Sequence, residues 1–278
     1  MKVNLLKLED RYAELVFGDV DPNFANALRR TLVADVPKMA IEDVEFHLGP
    51  IRGEEGEEFE SVTPLFDEII AHRLGMIPIP TDLELFTFRD QCKDCAGEGC
   101  PNCTIMYSLN KKGPTTVYSG DLEPVGDSRL KVVDEKIPVV KLGKGQAMLV
   151  YATAILGTGK EHAKWQVAHG VGYKYYPVIE VDCDRCDFCG KCADVCPRDV
   201  FLIKKKSVEV KDPLKCNFCR ACVEECPKKC VSVEGNPTRI HFHFETDGSV
   251  RAADALQYAL DSLSRSFETL GRKVYSLK

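Results

Sequence analysis

No stretch of the 278-residue chain approaches the roughly 18 consecutive apolar residues that a membrane-spanning helix needs. A signal peptide is not expected either, because Lys2, Lys7, Glu9 and Asp10 interrupt the apolar residues near the amino terminus. Positive charge is in short supply: 37 Lys and Arg stand against 43 Asp and Glu, a formal net charge of -6. Broad phosphate binding by this chain alone is therefore unfavourable, and any work on nucleic acid is expected to run through partners, with no direct sequence-specific contact. The chain lacks an aspartate-rich loop of the kind that holds catalytic magnesium, and it lacks a nucleophile elbow. Gly157, Gly159 and Lys160 have the look of a phosphate loop, but the full spacing and the hydroxyl residue after the lysine are absent, which removes that reading. Catalytic residues are accordingly expected to be none. Cysteine, finally, is missing from most of the chain: all 14 fall within 92–103 and 183–230. A disulfide framework would be spread out, whereas metal ligands cluster, so the compartment is expected to be reducing and cytoplasmic.

What is present begins with one cysteine spacing written twice. Cys186, Cys189, Cys192 and Cys196 precede Pro197, and Cys216, Cys219, Cys222 and Cys226 precede Pro227. Both read C-x2-C-x2-C-x3-C-P, the bacterial ferredoxin run, in which three close thiolates bind one [4Fe-4S] cube and the fourth reaches across to the other. The spacing predicts two clusters, one on Cys186, Cys189, Cys192 and Cys226, the other on Cys216, Cys219, Cys222 and Cys196. Zinc would need only one tetrahedral set and would not explain the crossed repeat. Cys183 and Cys230 extend the two runs by one cysteine each, but only the chosen register puts proline after the fourth ligand.

A second metal pattern lies upstream. Cys92, Cys95, Cys100 and Cys103 form C-x2-C-x4-C-x2-C, two knuckles whose linker contains Gly97 and Gly99. The glycines let the linker turn tightly so that four sulfurs surround one ion, and zinc is the expected occupant.

Local patterns fill in the rest. Val3 to Leu8 and Tyr12 to Phe17 suit a β-hairpin. Asp21 is an N-cap, Pro22 fits the first helical position, and Phe24, Ala27, Leu28, Thr31 and Leu32 recur with helical period until Pro37. From Ile41 to about Leu156 short strands and loops are expected, with a helix near Asp67 to Leu74 and a buried strand over Met148 to Leu156. The five glutamates between Gly53 and Glu60 read as a solvated loop. Tyr176 to Val181 and Arg239 to Thr246 read as strands flanking an inserted iron–sulfur module; in the second, Ile240, Phe242 and Phe244 face a core while His241, His243 and Glu245 face solvent. Ser249 is expected to cap a last helix that Gly271 closes. Along it Leu256, Leu260, Leu263, Phe267 and Leu270 make a seam spaced for packing along another helix.

Four blocks then resemble one family in its own order. GDVDPNFANALRRTLVADVPKMAIEDVEF (residues 18–46) resembles the first dimerisation helix of the RNA polymerase α-like subunits, and EIIAHRLGMIPIP (68–80), GTGKEHAKWQV (157–167) and ETDGSVRAADALQYALDSL (245–263) continue the likeness. The knuckle stands where the homologous eukaryotic subunit has a zinc loop, and an inserted ferredoxin-like module is a feature of many archaeal members. The resemblance implies an α+β fold: an α-subunit-like dimerisation domain built from 1–42, 158–181 and 233–278, an inserted β-rich domain over 43–157, and a ferredoxin-like domain with two [4Fe-4S] clusters over 182–232. It implies a non-catalytic assembly platform of an archaeal DNA-directed RNA polymerase. Pairing with a smaller α-like partner, subunit L, would use Asn26, Leu28, Arg29, Arg30 and Leu32 from the first helix and Leu256, Leu260, Leu263 and Phe267 from the last. Subunits N and P and the large subunits would follow. In the family the Arg29–Arg30 segment approaches a large subunit, and His72, Arg73 and Gly75 face the second-largest one. Two other functions compete: an electron-transfer subunit of a redox complex, for which the clusters speak, and a zinc-bearing chaperone or adaptor, for which only the knuckle speaks.

Overall fold

The computed structural model describes residues 1–52, 57–205 and 207–277. In chain order these form β1 (Lys2–Glu9), β2 (Tyr12–Gly18), α1 (Pro22–Ala34), β3 (Pro37–Phe46), β4 (Pro50–Arg52) and β5 (Glu58–Glu60). Next come α2 (Asp67–Gly75), β6 (Thr104–Lys112), β7 (Thr115–Tyr118), β8 (Glu123–Pro124), β9 (Pro138–Leu142) and β10 (Ala147–Thr158). The last third contains β11 (Ala168–Val181), α3 (Lys191–Asp194), β12 (Phe201–Lys204), β13 (Ser207–Val210), α4 (Ala221–Glu224), β14 (Val231–Thr246) and α5 (Ala252–Tyr275). The mixture of helix and antiparallel sheet is the expected α+β class.

The chain divides into two compact units. One comprises Met1–Leu8, Ala13–Arg29 and Val171–His243; the other comprises Glu9–Tyr12, Arg30–Gly170 and Phe244–Lys278. The first contains most of a four-stranded sheet ordered β1-β2-β14-β11. The expected hairpin is its first pair, and the strands expected on either side of the cysteine module are its last, both longer than their apolar cores suggested. Pro22 opens α1, and the Asp21 carboxylate accepts the Asn23 N–H at 2.7 Å, so the cap forms as its chemistry requires. Between β11 and β14 the chain makes the two-stranded β12-β13 sheet and the single-turn helices α3 and α4. Ile240 and Phe242 are fully buried as the alternation of β14 requires, with Phe17 edge-on to Phe242 at 5.8 Å.

His241 departs from the expectation. It is buried, not solvent-facing, because β14 lies inside the sheet and the neighbouring strand β2 brings Glu14 within 2.6 Å of its Nε2. Burial outweighs that carboxylate and pushes the imidazole below its ordinary pKa, and Nδ1 has no hydrogen-bond partner among the described residues.

The second unit is organised by β10. It pairs antiparallel with β3, from Val150 opposite Phe46 to Thr158 opposite Pro37 with a bulge at Thr153/Ala154, and with β6, from Ala147 opposite Lys112 to Ile155 opposite Thr104. Strand β8 completes this sheet, and β7 pairs with β9. Met39, Ile41, Ile70, Leu74, Ile105, Tyr107, Leu109 and Val150 share the core under α2, whose span matches the expected helix. Gly157 and Gly159 have packing roles in place of phosphate binding: a Cβ on Gly157 would sit 2.3 Å from the Trp165 ring, and one on Gly159 would sit 2.3 Å from the Val33 carbonyl oxygen. Of the acidic stretch, Glu58–Glu60 is a short strand paired with Pro50–Arg52, which corrects the loop expectation there; residues 53–56 lie outside the described ones.

Helix α5 also differs from the reading at both ends. Ser249 does not cap it, because its hydroxyl and N–H are both committed to Asp247 Oδ1, at 2.5 and 3.0 Å. Nor does Gly271 end it: one interior glycine costs only about 1 kcal/mol, and the helix runs on through Arg272 and Lys273 to Tyr275.

Candidate metal centres

The knuckle sits immediately before β6. Its fourth cysteine, Cys103, is fully buried, and Arg89 holds the linker by donating Nε to the Gly97 carbonyl and Nη2 to the Glu98 carbonyl, both at 2.9 Å. Gly97 and Gly99 take φ of +91° and +111°, the left-handed backbone expected of them. The four sulfurs lie within 4.8 Å of one another, with Cys92–Cys100 and Cys95–Cys103 at 3.6 Å and Cys100–Cys103 at 3.8 Å. Four thiolates about 2.3 Å from one tetrahedral ion stand about 3.8 Å apart, so the donor set fits a single closed, four-coordinate metal. The Asp94 N–H pulls the Cys92 thiol down to about 6, helped by neighbouring thiols. Burial pushes Cys103 up to about 12, so protons must leave when a cation enters.

The ferredoxin-like runs are a thirty-residue repeat in three dimensions as well as in sequence. Phe188 and Phe218, Gly190 and Arg220, and Asp199 and Lys229 are all at positive φ in matching positions. The Asp187 and Asn217 side chains each accept the N–H two residues on, from Cys189 and Cys219, at 3.3 Å. Cys192, Cys216 and Cys222 are buried and Cys186 is half-buried, whereas Cys189 and Cys219 are exposed. Cys196 comes to the opposite run: it lines one cavity with Cys216, Cys219 and Cys222, closed by Ile179 and Val200. The thiol of Cys222 is pushed up to about 11, by burial first and then by the charges of Cys196, Cys216 and Cys219. In the other group Cys192 faces Cys186 and Cys189, and Cys186 meets Cys230, whose sulfur is 3.4 Å from that of Cys226. Both groups fit iron–sulfur chemistry: soft thiols converge in a largely apolar wall, and backbone N–H groups of Phe188 and Cys230 point at the sulfurs of Cys186 and Cys226, at 3.4 Å. Cys183 is exposed and outside both groups.

Two supporting residues escaped the sequence reading. Lys174 on β11 donates Nζ to the carbonyls of Leu214 and, at 2.8 Å, Cys216, which ties the second run to the sheet. Arg89, three residues before the first knuckle cysteine, has only that proximity as a signal. The partner-surface candidates fall into two sets. Leu28 and Leu32 are completely buried in the chain's own core and offer no surface, since the inward face of α1 uses them. Asn26 and Arg29 are half-buried and joined through Asn26 Oδ1 at 3.0 Å, while Arg30 is exposed. On α5, Leu256, Leu260 and Leu263 are half-buried and Phe267 is 67% exposed. Arg73 donates to the Val139 carbonyl at 2.7 Å, Gly75 is buried, and His72 is exposed. Among the described residues no helix is long and apolar enough to cross a membrane.

Residues 51–182 match the RNA polymerase Rpb3/RpoA insert domain, and residues 185–230 match the 4Fe-4S dicluster domain. The chain is similar to DNA-directed RNA polymerase subunit Rpo3 of Thermoplasma volcanium, 47% identical over 95% of each chain. It is also similar to the Rpo3 subunits of Picrophilus torridus, 44% identical over 96% of this chain and 97% of the relative, and of Archaeoglobus fulgidus, 36% identical over 100% and 99%.

Proposed function

The chain belongs to the Rpo3 family of archaeal DNA-directed RNA polymerase subunits, and on that premise we propose that it is a non-catalytic assembly platform that pairs with subunit L. Subunits N and P and the large subunits then dock on the pair, and transcription depends on it for assembly and not for chemistry.

Helix α5 is the observation that carries this reading. Its 24 residues bury only Ala252, Ala255 and Ala259 in the chain's own core. Beyond Leu263 every described helical residue except Gly271 is exposed, including Phe267 at 67% and Leu270 at 56%. A helix that carries an apolar seam past the end of its own domain needs another apolar face to cover it. Asn26, Arg29 and Arg30 on α1 would add polar contacts to the same partner. Truncating a buried apolar anchor typically costs about 2 kcal/mol or more of binding, and a charge stranded in the seam costs more. A Leu260→Asp, Phe267→Asp chain co-expressed with subunit L should therefore elute alone in size exclusion with its iron–sulfur absorption intact; full-strength pairing would remove α5 from the interface.

The donor sets support a reading with two cubes, one on Cys186, Cys189, Cys192 and Cys226, the other on Cys216, Cys219, Cys222 and Cys196, and with zinc at Cys92, Cys95, Cys100 and Cys103. When bound, such clusters supply electron transfer or cross-linking; nucleotide polymerisation uses no electrons, so cross-linking of the module is the role assigned. The solvent exposure of Cys189 and Cys219 favours the electron-transfer reading in its place. Affinity isolation from native cells separates the two, since a multi-subunit polymerase or a reductase would co-purify.

A further inference from the structure

The two halves of the dicluster module do not hold the same number of thiols. The thirty-residue offset that relates Cys186 to Cys216 and Cys196 to Cys226 also relates Val200 to Cys230. Val200, 2% exposed, closes the cavity lined by Cys196, Cys216, Cys219 and Cys222. Packing at this position thus needs apolar bulk, which valine supplies in the first half. Its counterpart in the second half is a cysteine, 5% exposed, in contact with two thiols already assigned to the first site: Cys226, at 3.4 Å between sulfurs, and Cys186. The first site therefore gathers Cys186, Cys189, Cys192, Cys226 and Cys230 for the four iron corners of a cube, and the second gathers only its four.

From this juxtaposition, and resting on the iron–sulfur reading above, we propose that Cys230 is an alternative fourth ligand of the first cluster, interchangeable with Cys226. Both sulfurs ride on one tight turn. The Cys230 N–H donates to the Cys226 sulfur at 3.4 Å and the Lys229 N–H to the Cys226 carbonyl at 3.1 Å. The turn is anchored from the first run, where Asp182 N–H donates to the Cys230 carbonyl at 2.8 Å and Arg185 to the Lys229 carbonyl at 2.9 Å. Exchange requires side-chain rotation on a fixed turn, with no refolding. The thiol that enters gives up its proton and the thiolate that leaves takes one up, so one proton crosses between neighbouring sulfurs. The charge and oxidation state of the site are unchanged, and no oxidant or reductant is needed.

Full-length chain is reconstituted anaerobically with iron and sulfide, and iron content and the electron paramagnetic resonance of the reduced protein are read. Wild type should hold about eight irons, in two four-iron cubes. Cys226→Ala and Cys230→Ala singly should keep about eight, the first with a perturbed signal from one cube only. The double variant should lose one cube or convert it to a three-iron signal. Cys196→Ala, whose site has no fifth thiol, should do so as a single variant. Loss or three-iron conversion in Cys226→Ala alone, with Cys230→Ala like wild type, overturns the proposal. Should Cys226→Ala fail to fold, Cys226→Ser is read against Cys226→Ser, Cys230→Ala: equal spectra in these two would overturn it, because only Cys230 can restore an all-sulfur site. Wild type that binds no iron would instead sink the iron–sulfur reading itself.

Discussion

The β-rich unit and the cysteine module bury their interiors with different material. Around β10 the buried cluster is aliphatic and aromatic apart from Met39 and Met148, and among the described residues it contains no cysteine. Among the described residues of the module ten form the buried cluster, and half of them are Cys192, Cys216, Cys222, Cys226 and Cys230. A core of the first kind is stable by itself because each apolar side chain removed from water contributes about 1.5–3 kcal/mol. In the second kind the thiols are poor apolar mass and good ligands, so a module this small depends on metal to close. The four-cysteine knuckle is intermediate: its thiols are a small appendix on β6, which the large core already holds.

The comparison breaks most visibly on metal removal. Replacing Cys186, Cys189, Cys216 and Cys219 by serine should unfold about fifty residues locally, read as lost amide-exchange protection across 182–232. The β10 strands and pairing with subunit L should persist, while recruitment of a large subunit weakens; protection retained across the module would show that it has a sufficient core of its own. Next in size, Leu109→Ala in the hydrocarbon core should cost about 3 kcal/mol in denaturant unfolding of the β-rich unit, with iron content unchanged. Coupled loss of iron would erase the distinction between the regions. A smaller effect is expected from Cys95→Ser, which should release zinc but cost only about 1 kcal/mol, with faster exchange confined to the knuckle between Arg89 and Thr104. Exchange spreading through β6 and β10 would make the knuckle part of the core.

The least change concerns His241, the one buried ionisable exception in the host sheet's central strand. Its folded pKa lies below the ordinary value of 6.5, by burial first, with Glu14 opposing and Lys174 and His243 adding to the lowering. A group whose charged form is disfavoured by folding contributes stability above its unfolded pKa and loses it as pH falls through the folded one. Sheet stability should thus decline as pH drops below 6.5, and His241→Gln should flatten that slope. An unchanged slope would assign the acid sensitivity elsewhere.

Much of this was legible without a structure wherever one local rule decides. Pro22 after Asp21 opens α1 where the capping rule puts it, and the 2.0-residue alternation of β14 buries Ile240 and Phe242. The cysteine spacings were legible for the same reason, since spacing is a local property of the chain and the ligand chemistry is that of cysteine. What failed were readings that needed a neighbour. Ser249 has the side chain of a cap but is taken by Asp247; His241 has the phase of a solvent-facing residue but has Glu14 beside it. Leu28 and Leu32 belong to a stripe whose direction periodicity cannot give, and it points inward.

The amino-acid sequence by itself determined the spacing of the cysteine runs, the order of the family's four blocks, and the seam of apolar residues on α5. These follow from spacing along one chain, where the covalent backbone sets the distances. Only the tertiary structure decided that Cys230 stands beside Cys226 where Val200 stands in the other half, and how little of α5 the chain covers. Each of those depends on elements distant in sequence being folded against one another, and burial is a property of the packed chain that no local spacing contains.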